Sequence, residues 1–186
     1  MKKAIGWFAV LALLAVSFSF VGCATHEERK AASAPAAKKV KTQSLFIIKR
    51  SKNANVVHYD ARLTADGKLD PKEPVIAYWV MRAEDGRRQA LNYMEIKKGY
   101  GFDIKPDPSA NGYKMTLMAA PQQQITVKKA GDTIRAEMVI GGRPAVLEKI
   151  YINASGGLTG SKVHYIMLYG KDLKTGGKRS QKIVPK

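Results

Sequence analysis

The chain has a single cysteine, Cys23, so no disulfide can form within it. Its three histidines, His26, His58 and His164, stand far apart and form no HExxH or Cys/His cluster, which leaves no zinc-type ligand set. No Gly-x-Ser-x-Gly elbow, P-loop lysine motif or Rossmann glycine pattern occurs. Acidic residues are scarce, 15 against 32 lysines and arginines. Long apolar runs are limited to one, Ala4 to Phe20. These gaps point away from a metalloenzyme, a nucleotide enzyme and a multi-span membrane protein.

What is present begins at the N-terminus. Met1-Lys2-Lys3, the apolar run and the small residues after it have the layout of a secretory signal. Phe20-Val21-Gly22-Cys23 follows a lipobox, in which cysteine becomes the first mature residue and its sulfur carries a diacylglycerol. Phe20 stands where leucine is common. Each buried methylene contributes about 0.8 kcal/mol, so two or three acyl chains anchor firmly. The expectation is a signal peptide over 1–22 and lipid attachment at Cys23. Ala24, rather than aspartate, after that cysteine favours the periplasmic face of the outer membrane.

Without Lys2 and Lys3, the charge of +17 for the whole chain falls to +15. Such a charge attracts anionic surfaces and opposes self-association. An anionic envelope component is therefore the expected partner besides the membrane. The bases are scattered in sequence, at Lys49-Arg50-Lys52, Arg87-Arg88, Lys97-Lys98, Lys128-Lys129 and from Lys171 to Lys186. No nucleic-acid module signature accompanies them.

Residues 23–43 are polar, rich in alanine and lysine and broken by Pro35, the composition of a tether. From Ser44 to Lys186 short β-rich runs alternate with turn signals, enough chain for one domain. Leu45–Ile48, Val56–Leu63, Val75–Arg82, Tyr113–Ala119, Gln124–Val127, Thr133–Ile140 and Lys162–Tyr169 read as strands. Gly141-Gly142 predicts a tight hairpin with Met138 opposite Ala145 and Ala136 opposite Leu147. "KPDPSANG" after Phe102 reads as a loop. One helix is expected over Gln89–Lys98, with Gly99 as a left-handed cap. The fold class is mainly β, an antiparallel barrel or sandwich of about eight strands with one short helix; a lipocalin-like barrel fits the pattern.

Candidate binding residues are few. His58, Asp60 and Arg62 share one strand face, where a carboxylate beside an imidazole suits general-base work, but no third member is supplied. "VHY" recurs at Val57-His58-Tyr59 and Val163-His164-Tyr165. Tyr78, Trp79, Tyr93 and Tyr100 gather around the longest apolar strand and the helix, as a ligand pocket or as core. No metal site and no cofactor are expected.

The stretches "LFIIKRSKNANVVHYDARL" and "GKLDPKEPVIAYWVMRAEDGRRQALNYMEIKKGYGF" resemble the bacterial domain of unknown function 4833. Asn53, Asn55, Tyr59, Pro74, Val75, Trp79, Asp85, Gly86, Leu91, Tyr100 and Gly101 carry the resemblance over Leu45 to about Ala154, and Glu73 replaces the usual asparagine before Pro74. The resemblance implies a small exported or lipid-anchored bacterial protein and supplies no activity, cofactor or catalytic residue. The expected function is a non-enzymatic envelope lipoprotein that binds a lipid, glycan or protein partner. The alternatives are a lipocalin-like carrier of an apolar ligand and an envelope-polymer hydrolase using His58 and Asp60.

Overall fold

The computed structural model describes residues 41–156 and 162–185. The expected signal peptide, Cys23 and all of the tether except its last three residues lie outside the described residues. Those last three belong to a strand. β1 is Lys41–Arg50, so the folded body starts before Ser44, and Gln43 shows why. Its side-chain amide donates to the carbonyl of Ile134 at 2.6 Å and accepts from the Ile134 N–H at 3.0 Å, copying a strand pairing across a gap.

Among the described residues, eleven strands make one sheet. After β1 come β2 Val56–Leu63, β3 Val75–Val80, β4 Arg88–Ala90, β5 Phe102–Asp107 and β6 Gly112–Leu117. The chain continues through β7 Ala120–Ala130, β8 Thr133–Ile140, β9 Arg143–Ser155, β10 Lys162–Asp172 and β11 Lys178–Ile183. All neighbours are antiparallel except β1 and β9, which run parallel.

β9 forks this sheet. It pairs with β10 along nearly its whole length, from Ala145 to Ser155. A strand has two edges, so the other edge must serve both remaining partners. Residues up to Val146 pair with β8, and Lys149 to Ile152 pair with β1. One leaf, β4-β3-β2-β1, leaves β9 at its second half. The other, β8-β7-β6-β5, leaves at its first half. The leaves enclose the core: Phe46, Ile48, Val57, Tyr59 and Trp79 face Met115, Ile125, Val127, Ala136 and Ile140. The sheet is curled and open, a half-barrel of the expected mainly β class.

The Gly141-Gly142 turn has positive φ at both residues, as a hairpin between right-twisted strands requires. Met138 lies opposite Ala145 as expected; the ladder ends one step later, at Glu137 opposite Val146, before Ala136 reaches Leu147. Pro144 does not shift the register.

Three expectations change. The helix does not begin at Gln89, because Arg88–Ala90 pair with β3. It begins at Tyr93, where Asn92 and Glu95 form a reciprocal capping box, and its first turn, Tyr93–Glu95, widens into a π turn, Ile96–Tyr100. Gly99 therefore sits inside the helical segment, and Gly101, in extended conformation, ends it. "KPDPSANG" is not all loop: β5 continues through Pro106 to Asp107. Proline is tolerated there because β5 is an edge strand and the missing N–H would face outward. The basic tail contains β11, whose register sets Ser180 and Lys182 beside Tyr169 and Met167.

Candidate binding face

Strand register places side chains in rows across the first leaf and β9 to β11. One row reads Lys182, Met167, Tyr151, Lys49, Val56, Val80, Arg88. The next reads Ser180, Tyr169, Lys149, Ile47, His58, Tyr78, Ala90. The alternate positions, Ile48, Val57, Trp79, Ile150 and Leu168, are the core, so these rows lie on the opposite, outer face.

The outer face is basic and aromatic. Lys149 Nζ lies 4.3 Å from the centre of the Tyr169 ring, Lys182 Nζ 4.5 Å from that of Tyr165, and the Arg88 guanidinium 4.5 Å from that of Tyr78. Each such contact contributes about 0.5–1 kcal/mol at an exposed site and holds the cation in place. Among the described residues, none of Lys49, Arg88, Lys149 and Lys182 forms a salt bridge. On the second leaf, by contrast, Lys128 and Lys105 are held by Glu137 and Asp103 at 2.8 and 3.0 Å. These four bases thus keep their positive charges available on the outer face.

Its acidic member is withdrawn from solvent and held by a hydrogen bond. Asp60 is buried at 3 % exposure, and its Oδ2 accepts from the Tyr78 hydroxyl at 2.6 Å. Burial first, and then the bond to Asp60, push the Tyr78 hydroxyl up to about 12. Asp60 Oδ1 and His58 Nε2 have no hydrogen-bond partner among the described residues. The imidazole stacks on Tyr78 with ring centres 5.8 Å apart. No hydrogen bond joins His58 to Asp60, so the carboxylate does not orient the ring as a general base requires.

Burial lowers the His58 pKa from 6.5; Asp60 opposes this, and Arg82 and Arg88 reinforce it. The unfolded chain therefore binds a proton at His58 before the folded one does. The stability tied to a neutral His58 is complete above pH 6.5 and is lost as pH falls toward the lowered value. His58→Gln should flatten the fall in melting temperature between pH 7 and 5. Parallel melting curves for the two proteins across that range would contradict this.

The residues singled out by sequence divide. His58, Asp60 and Tyr78 come together on the outer face. Arg62, at the end of the same strand, is occupied by Asp70, with Nε 3.1 Å away, and by Glu73. Trp79 and Tyr100 are core, edge to face at 5.1 Å, and the Tyr100 carbonyl accepts the buried Tyr59 hydroxyl at 2.6 Å. Tyr93 is 69 % exposed on the helical turn, away from both. The two "VHY" strands are not neighbours, since β1 and β9 separate them, and His164 pairs instead with Ser155 at 3.0 Å. Sequence reasoning missed Arg88, Lys149, Tyr151 and Lys182 as members of one surface. The alternation of Tyr165, Met167 and Tyr169 was the available signal, but which face it lay on required the register.

The geometry defines an open curled-sheet β domain with a basic, tyrosine-rich outer face. A family model described as Domain of unknown function (DUF4833) matches residues 46–182, and the chain belongs to that family. The match extends the resemblance past Ala154 into β11. No curated protein and no solved structure matches the chain.

Proposed function

We propose that the protein is a non-enzymatic, lipid-anchored binding module of the bacterial envelope that holds phosphate-bearing envelope components on its outer face. The observation that carries this reading is the set of bases along these rows that lack carboxylate partners among the described residues, three of which, Arg88, Lys149 and Lys182, lie against tyrosine rings. Ammonium and guanidinium groups supply charge for phosphate, and tyrosine supplies an apolar surface with a polar edge for sugar rings or the head-group region. The cavity within the core lined by Ile48, Leu117, Ile125, Met138, Ile150 and Leu168 holds about 50 Å³. Ligand pockets usually hold about 300–1,000 Å³, so this core cavity is too small to serve as a carrier site.

The anchor rests on Cys23 and the lipobox-like residues before it. Cys23→Ser should move the protein from the membrane to the soluble periplasmic fraction; full retention in the membrane would refute the anchor. The face is tested by binding to phosphatidylglycerol vesicles, phosphatidylcholine vesicles and a lipid-free phosphorylated glycan. Binding to either phosphate-rich anionic probe that weakens with added salt supports the reading, and the two arms separate lipid from glycan as the source. Equal binding to phosphatidylcholine, or binding to none of the three, would overturn it.

A further inference from the structure

The two leaves end in edges that face each other without pairing. On the first leaf, β4 stops at Ala90, opposite Tyr78, and leaves the first half of β3 uncovered. The Met81 N–H donates to the Arg87 carbonyl, and the Arg62 N–H donates to the Pro74 carbonyl, which fixes the phase of the ladder. Odd-numbered residues of β3 therefore direct their backbone groups toward the β4 side. At Val75 and at the N–H of Ala77 no described backbone group answers them.

On the second leaf, the Met118 N–H donates to the Gly101 carbonyl, so Asp103, Lys105 and Asp107 bond to β6. Phe102 and Ile104 then direct N–H and C=O outward, and Pro106 presents a carbonyl alone. Between the two edges lies a hollow of about 580 Å³, lined by Val75, Ala77, Leu91, Ile96 and Phe102 among others. The helical turn that crosses from β4 to β5 closes one end of this seam. It also exposes Met94 and Ile96 beside it, 37 % and 45 % accessible.

We propose that this seam accepts an extended segment of a partner protein as an added strand. The backbone groups of Val75, Ala77, Phe102 and Ile104 recur at every second residue, the period of a strand, and would hydrogen-bond it on either side. Its alternate apolar side chains enter the hollow against Leu91, Ile96 and Phe102. Arg88, which lines the hollow, and Lys97 and Lys98 on the π turn select a segment flanked by acidic residues. The added strand bridges the leaves and turns the open half-barrel into a closed one, removing both edges.

A displayed library of random 12-residue peptides, selected on the full chain in detergent micelles, tests this. The expected result is enrichment of sequences with apolar residues at alternate positions and an acidic flank. Synthetic copies should bind Ala77→Pro and Ile104→Pro at least tenfold more weakly. Each of these changes removes one outward N–H and no existing ladder bond. At saturation the amides of Val75, Ala77, Phe102 and Ile104 should exchange more slowly in the wild-type protein. That readout stands even where a proline variant fails to fold. Three results would overturn the proposal: no enrichment above an unrelated β domain, enriched peptides that leave these four amides unprotected, or seam protection that arises from self-association in sedimentation without peptide.

Discussion

Gly170→Ala is expected to destabilise the domain by about 3 kcal/mol, a cost at the upper end for one added methyl group in a packed interior. The reason lies at the fork. β10 follows β9 in register until Tyr169 opposite Lys149 and then skips to Gly170 opposite Leu147, leaving Glu148 as a bulge. That bulge falls where β9 passes its other edge from β8 to β1. An ideal Cβ on Gly170 would lie 2.1 Å from the Val146 carbonyl oxygen and 2.9 Å from Ile140 Cδ1. The methyl end of Ile140 has room to rotate, but the Val146 oxygen belongs to a strand paired on both edges and cannot retreat alone. The β9–β10 ladder has to open at its centre. For a domain of this size the loss corresponds to a fall of about 9 °C in melting temperature. An unchanged melting temperature would mean that β9 does not carry both leaves.

The second large effect is on binding. Lys149→Glu combined with Lys182→Glu replaces two unpaired cations of the outer face with two anions. Each base near an anionic surface contributes about 1 kcal/mol, so two reversals remove about 4 kcal/mol, close to a thousandfold in affinity. The loss should shrink as salt is added, because the contacts are exposed and screened. Folding should change little, since among the described residues neither lysine is in a salt bridge and each gives up only its cation–π contact with tyrosine. Lys128→Glu is the contrasting change. Lys128 lies on the second leaf and is already neutralised by Glu137, so binding to the phosphate probes should stay within a few fold of wild type.

Local patterns carried well from sequence to structure where one face of a strand is buried. β2 has the expected bounds, Val56–Leu63, because its alternation of Val57, Tyr59 and Ala61 is itself the core face. The Gly141-Gly142 hairpin was legible because the backbone conformation there needs glycine. β4 and β5 were not legible as strands. Arg88–Ala90 is exposed throughout, and Pro106 reads as a breaker unless its strand is known to be an edge. The early start of β1 depends on Gln43 meeting Ile134, ninety-one residues away, which no local pattern shows. Candidate residues behaved the same way. Asp60 was expected on a polar outward strand face and is buried there, since Tyr78 on the neighbouring strand bonds its carboxylate. The basic face was invisible as a unit because its members come from Lys49, Arg88, Lys149 and Lys182, four separate stretches joined only by register.

Amide chemical-shift mapping with phosphatidylglycerol nanodiscs and with a soluble phosphorylated glycan tests the central claim most directly. At least one probe should shift Lys49, Arg88, Lys149, Tyr151 and Lys182 together, on β1, β4, β9 and β11, with the β6–β8 leaf unmoved. Shifts confined to the β6–β8 leaf, or none with either probe at low salt, would contradict it.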